Sequence, residues 1–361
     1  MCANRPALTL CAIASIACLL LGFGTAGPAS AQDQVEAKLL VTNLLNPSGL
    51  AVHEGTGHVF IANRYGVYRY TAPGKDKEEA SVDIEVLAAG NDVYGKGPMY
   101  DIGPLGLAFL DKDHLVVGDG SRVDGQELLR IYKVSAEAPS KPASEDSAVQ
   151  TLGPITAEEG VTVKGEGNFY GVAVGADAIF VTCNGDDTKG WIAKVELKEG
   201  QPDGKLTPSI STKVAIEEHD GTVCDAPVAI AFSPDGKSLV VGQMGEMTVP
   251  GDSLLTFYNP DDGKLTKSYK TGLSDIAGLA YSPKTGKLYA TDFSWHDTSQ
   301  GGLFELAIDG DEVKATKIIG LDKPAAIAFD EQGNLYLTEF GTAQEDDTKL
   351  PGTLSMIKAG L

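Results

Sequence analysis

KPAAIAFDEQGNLYLTEFG, Lys323 to Gly341, reads as two short apolar strands around a tight turn, and the chain says nearly the same thing five more times. Aligned on the first strand, the repeats are PSGLAV from Pro47, PLGLAF from Pro104, FYGVAV from Phe169, PVAIAF from Pro227, IAGLAY from Ile276 and PAAIAF from Pro324. Each is followed by a second strand, in turn HVFIAN, HLVVGDG, AIFVTCN, SLVVGQM, KLYATDF and NLYLTEF, and then by a third, such as GVYRY, LLRIYKV or TLSMI. A fourth is read in IEVLA before Asn91 and in TKVAI before Glu217. Four strands in a unit of about 50 residues predict the blade of a β-propeller.

The register inside the first strand supports this. Its third position is Gly49, Gly106, Gly171, Ala229, Gly278 and Ala326, and its fifth is Ala51, Ala108, Ala173, Ala231, Ala280 and Ala328. Side chains alternate along a strand, so one face is uniformly small, as crowding of innermost strands around an axis requires. The other face carries Leu50, Phe109, Val174, Phe232, Tyr281 and Phe329, suited to filling the wedge between blades. The chain ends after the third strand of its last repeat, while EAKLLVT, Glu36 to Thr42, stands alone before the first. The N-terminal segment should therefore complete the last blade and remove the open sheet edges. An all-β, six-bladed propeller is expected over residues 32–361.

Residues 1–31 read as a signal peptide, with Arg5 as its positive end, an apolar run from Ala7 to Phe23 and the cleavage pattern Ala29-Ser30-Ala31. The mature chain is then expected to begin at Gln32 and to be periplasmic or secreted, with no membrane insertion after cleavage. The 361 residues carry 50 Asp and Glu against 29 Lys and Arg, a net charge of −21 that becomes −22 without Arg5. That balance argues against nucleic acid as a partner, which needs basic patches. A monomer is expected. Only Cys183 and Cys224 remain after processing, either as a disulfide of an exported protein or as two buried thiols.

The proline-glycine-aliphatic first strand, the short turn and the aliphatic second strand with its polar end resemble the blades of NHL-repeat and SMP-30/gluconolactonase-type six-bladed propellers. The resemblance covers nearly the whole mature chain. It implies the architecture, and it is compatible with lactonases, other hydrolases and pure binding scaffolds.

The turns between first and second strands are brief and alike, whereas the loops of the opposite rim differ from blade to blade, so the loop-rich rim is the candidate functional face. The segment Ser135 to Ser147 belongs to the other rim by strand order and reads as a flexible surface insertion. On the candidate face, Asn46, Asn168 and Asp275 precede the first strand in identical register, and Asp225 lies one position earlier. Oxygen ligands converging from several blades suit Ca²⁺, and the resemblance implies such an ion at the tunnel. Blade one here has NPSG in place of the E-G-P segment of the SMP-30 proteins, and Lys323 holds the register in blade six. The same Asn and Asp residues would also serve as turn formers bonded to their own backbone. A second ring, Asn63, Asp119, Gln243, Asp292 and Glu339, ends the second strands; in NHL-like blades a similar Asp bonds neighbouring backbone. For acid–base chemistry, FSWHD offers His296, and EEHDG offers His219. Trp295, Tyr100, Asp292, Asp297 and Arg122 are the candidate ligand contacts. Two readings stand: an exported propeller that binds a small molecule, carbohydrate or protein, and a Ca²⁺-dependent lactonase or related esterase.

Overall fold

The six repeated segments form the innermost strands of six four-stranded antiparallel sheets: Gly49–Val52, Pro104–Asp111, Val172–Val174, Ala226–Phe232, Ile276–Tyr281 and Pro324–Phe329. The computed structural model describes residues 35–72, 81–86, 101–137, 139–184, 190–212, 214–215, 223–224, 226–343 and 348–361. The expected signal peptide lies outside them. In the sixth sheet the order is Pro324–Phe329, Leu335–Glu339, Gly352–Ile357 and finally Ala37–Leu44, so the N-terminal strand closes the ring as expected. Its register runs from Ala37 opposite Ile357 to Leu44 opposite Gly352.

One strand assignment is corrected. TKVAI is not the outer strand of blade three; that place is taken by Gln201–Ser211, paired with Trp191–Lys198. The hairpin turns through Glu199 and Gly200, both at positive φ (53° and 76°), directly between the paired residues Lys198 and Gln201. Two left-handed residues match the twist of a two-residue hairpin. Val214–Ala215 instead pairs with Val223–Cys224 in a separate two-stranded ribbon.

The alternation of the inner strands has a directional meaning. Small third-position residues face the following blade: a Cβ on Gly49 would lie 1.8 Å from the Leu105 carbonyl oxygen of blade two, and one on Gly278 would lie 2.5 Å from that of Ala325 in blade six. The large residues face the preceding blade. Phe109 packs edge-on against Phe60 at 5.4 Å, Phe232 against Phe180 at 5.8 Å and Phe329 against Tyr289 at 5.8 Å. Inter-blade cores built this way hold the sheets together through apolar burial. Buried threonines add polar staples: the Thr182 hydroxyl accepts from the Gly171 amide and donates to the Val228 carbonyl of blade four, each at 2.8 Å.

The described part of Ser135–Ser147 lies at the surface and is anchored at three points. Its Ser135 carbonyl accepts from Arg69 Nη1 at 2.7 Å, Ala143 and Ala148 pack beside blades one and two, and Glu145 receives both Arg122 and Arg130. Most of its described residues are exposed, as the composition suggests, while Ala143 and Glu145 are partly buried and tie the segment to blade two.

Candidate functional site

Chains enter the inner strands on the loop-rich face, and the entry turns are sharp. Asn46, Asn168 and Lys323 hold the same register in blades one, three and six, and all take left-handed φ, of 48°, 48° and 55°. Asn tolerates this conformation better than other non-glycine residues, so backbone geometry accounts for part of the asparagine pattern. Asn46, 5% exposed, also donates from Nδ2 to the Asp101 carbonyl at 2.8 Å. The Asn168 amide donates to Glu127 Oε2 at 2.6 Å.

Asp275, in the same register on blade five, is different. It has no left-handed φ to explain it. Its residue is 2% exposed, and its Oδ2 accepts from the Trp295 amide at 2.7 Å. Its Oδ1 is buried and has no hydrogen-bond partner among the described residues. Burial pushes this carboxyl up to about 7, against the pull of the Trp295 N–H, and the charges of Asp292 and Asp252 add to the rise. Native proteins rarely leave a buried polar oxygen unpaired.

Four members of the second ring, Asn63, Asp119, Asp292 and Glu339, accept from backbone amides, while Gln243 Nε2 donates to Thr256 Oγ1 at 3.1 Å. Asp292 accepts from the amides of Asp275 (2.7 Å), Ser294 (3.1 Å) and Ser274 (3.2 Å), which fixes the backbone that carries Asp275. Asn63 Oδ1 accepts from the Leu45 amide at 2.7 Å, and Glu339 Oε1 from the Asp322 amide at 2.8 Å. Asp119 accepts from the Ser121 amide at 2.9 Å and pairs with Arg122, which also reaches both Glu145 oxygens at 2.9 and 2.8 Å. Arg122 is thus held in an ion-pair network of blade two.

Around Asp275 the structure gathers an aromatic group. Trp295, half-buried, lies on Phe293 with ring centres 4.7 Å apart and planes tilted by 32°, and Phe293 meets Phe340 of blade six edge-on at 5.4 Å. His296 and Asp297 follow on the exposed side of this loop. Asp297 caps the short turn Thr298–Gln300, accepting from Ser299 Oγ at 2.6 Å and from its amide at 3.1 Å, bonds that hold its carboxyl below the usual range. Tyr100, His219 and Asp225 lie outside the described residues. Cys183 is a free, fully buried thiol here, its Sγ 3.5 Å from the Trp191 carbonyl; Cys224 is placed in its ribbon by backbone alone.

Three buried acids among the described residues of this face escaped the sequence reading, Glu127, Asp252 and the 0% exposed Glu166 just before Asn168. Glu127 and Asp252 each stand two residues before a third strand, in blades two and four, and are 0% and 4% exposed. Each occupies the space a side chain would need on a nearby glycine: a Cβ on Gly167 would fall 1.3 Å from Glu127 Oε2, and one on Gly245 would fall 1.6 Å from Asp252 Oδ1. The signal was their shared register. Among the described residues, no three His, Cys, Asp or Glu side chains gather as a metal cluster. Among the described candidates a cation here would rest on the neutral amides of Asn46 and Asn168 and on the Asp275 carboxyl, an all-oxygen donor set that suits a hard ion. The orphan Asp275 oxygen is the observation that fits one.

No protein-family model and no curated protein matches the chain. Solved structures do. One described as a glucose dehydrogenase aligns over 90% of this chain and 100% of its own with a TM-score of 0.56 at 15% identity. A gluconolactonase of Xanthomonas campestris aligns over 90% of this chain and 94% of its own with a TM-score of 0.53, also at 15% identity. One of these names denotes an oxidoreductase and the other belongs with hydrolysis of a lactone, so the likeness speaks to architecture: the chain is a six-bladed β-propeller with the fold of the gluconolactonase-like and glucose dehydrogenase structures.

Proposed function

We propose that the loop-rich face hydrolyses a small ester or lactone, with Asp275 at the centre of the site. The observation that carries this reading is the buried Asp275 Oδ1, which has no partner among the described residues and belongs to the residue just before the inner strand Ile276–Tyr281. The name of the gluconolactonase neighbour supports it. Asn46, Asn168, Asp225 and Asp275 would hold a Ca²⁺ ion, which when bound supplies polarisation of the ester carbonyl and of the developing oxyanion. Asp292 keeps the Asp275 backbone in place through its three amide bonds. Trp295 offers its ring to the apolar side of the substrate, and its amide orients the Asp275 carboxyl. On this proposal the exposed His296 imidazole takes a proton from water. In this reading the chain from Gln32 onward works as an exported monomer.

The test is hydrolysis of a panel of five- and six-membered lactones and aryl esters by the mature chain, with Ca²⁺ and after chelation. Asp275→Asn should lower kcat/KM about 100-fold or more, as loss of a group at the reacting centre does. Trp295→Ala should raise KM with a smaller effect on kcat. Folded protein that binds no Ca²⁺ by calorimetry and turns over none of the panel would overturn the proposal. The half-buried Trp295 stacked on Phe293 favours a second reading, a non-catalytic site for a small molecule, carbohydrate or protein. It has a distinct outcome: capture of a ligand that Trp295→Ala abolishes, without turnover by the unaltered chain.

A further inference from the structure

The opposite end of the ring, formed by the short turns between first and second strands, holds a cavity of about 410 Å³ between blades five, six and one. That size falls within the range of small-molecule sites, roughly 300–1,000 Å³. Its apolar walls include Tyr281 and Phe329, the large inner-strand residues of blades five and six, together with Val52 of blade one. Its charged lining is Glu54, Asp330 and Glu331, with no Lys or Arg among the lining residues. Asp330 is rigid: its two oxygens accept from the Asn334 amide at 2.8 Å and from Asn334 Nδ2 at 2.7 Å. His53, also in the lining, uses its polar edge within its own turn and on the neighbouring turn of blade two. Its Nε2 donates to the Lys112 carbonyl at 2.6 Å and its Nδ1 accepts from the Thr56 hydroxyl at 2.9 Å, while the ring meets Phe109 edge-on. Burial, with the charge of Asp235, pushes the Tyr281 phenol up to about 12, so it stays a neutral ring.

The lining therefore offers negative charge and aromatic surface and no cationic partner for an anion. A hard metal ion needs six to eight converging oxygens, and no such acidic cluster forms among the described residues. A diffuse organic cation needs the opposite combination, ring faces with carboxylates nearby. The acidic surplus of the whole chain, −21, draws cations toward it. We propose that this cavity binds a small alkylammonium compound, seated against Tyr281 and Phe329 and neutralised by Glu54 and Glu331. It is a site separate from the loop-rich face and does not depend on the function proposed for that face.

The experiment uses choline and its uncharged isostere 3,3-dimethylbutan-1-ol, titrated into the mature chain by calorimetry and followed by NMR. Choline should saturate the protein, and the isostere should bind about tenfold more weakly or less, because it lacks the charge. The exposed acids allow a mild variant, Glu54→Gln with Glu331→Gln, which should keep the melting temperature and weaken choline about tenfold. Phe329→Leu should weaken it as well, and Trp295→Ala should leave it unchanged. Equal affinity for the isostere, no saturation up to about 50 mM, or choline binding that survives the double Gln variant would each overturn the proposal. Choline binding lost in Trp295→Ala would move the cation to the loop-rich face and overturn it too.

Discussion

His58, at the entry to the second strand of blade one, has its imidazole pushed down to about 4 by burial first, then by Arg69 and by His53. In the unfolded chain the same group titrates near 6.5. As pH falls from 6.5 toward 4, the unfolded state takes up a proton that the native state refuses, so stability present above pH 6.5 is lost across that window. The side chain is only half-buried, and after discounting for solvent the effect should be about 1 kcal/mol. His58→Gln should therefore show a flatter dependence of urea midpoint on pH between 7 and 4.5; parallel curves for the two proteins would exclude it. At this scale the sequence was a partial guide to the site. The common register of Asn46, Asn168 and Asp275 could be read from the repeats. What separates them could not, since it depends on φ at the two asparagines and on the amide of Trp295 reaching Asp275 across 20 residues.

In blades two, four, five and six the inner strand is irregular at its start, where register shifts occur between Pro104 and Leu107, Pro227 and Ala229, Ile276 and Gly278, and Pro324 and Ile327. In blades three and six a second-strand threonine takes up an inner-strand amide: Thr182 Oγ1 that of Gly171 at 2.8 Å, Thr338 Oγ1 that of Ala326 at 3.1 Å. Thr182→Val keeps the shape but leaves the Gly171 amide and the Val228 carbonyl without this partner in a buried place, at a cost of about 2–3 kcal/mol. Thr182→Ser should recover most of it. Urea unfolding of the two variants measures the difference, and equal midpoints would show that the hydroxyl bridge contributes nothing. The strands themselves were legible because four of them recur in each repeat, and one repeat checks another. TKVAI misled because its β-branched residues look like a strand edge, while the deciding feature was the left-handed pair Glu199-Gly200 just upstream. The exposure of Ser135–Ser147 was legible in its composition, but its anchor was not, because composition carries no information on where a single Glu145 will find Arg122.

For the molecule as a whole, closure was written in the arithmetic of strands, one too few at the end and one too many at the start. Ala37–Leu44 lies against Gly352–Ile357 and buries Val41 and Leu44, 8% and 1% exposed, against blades six and one. Removing residues 35–44 should leave the edge of Gly352–Ile357 open to other chains. Size-exclusion chromatography should then show aggregation, reversed in part by adding the missing strand as a peptide. A truncated chain that stays monomeric with an unchanged melting temperature would show that the ring does not rely on this strand. The neighbouring contact between the Leu350 amide and Asn43 Oδ1 joins residues 307 positions apart. Local pairings within a blade close short loops, whereas this one waits for nearly the entire polypeptide, and loop-closure entropy makes such contacts slow. Synthesis of the chain therefore passes through a stage in which five blades have all their strands and the sixth has only its first-made one, and the ring waits for Pro324–Phe329, Leu335–Glu339 and Gly352–Ile357 to be added.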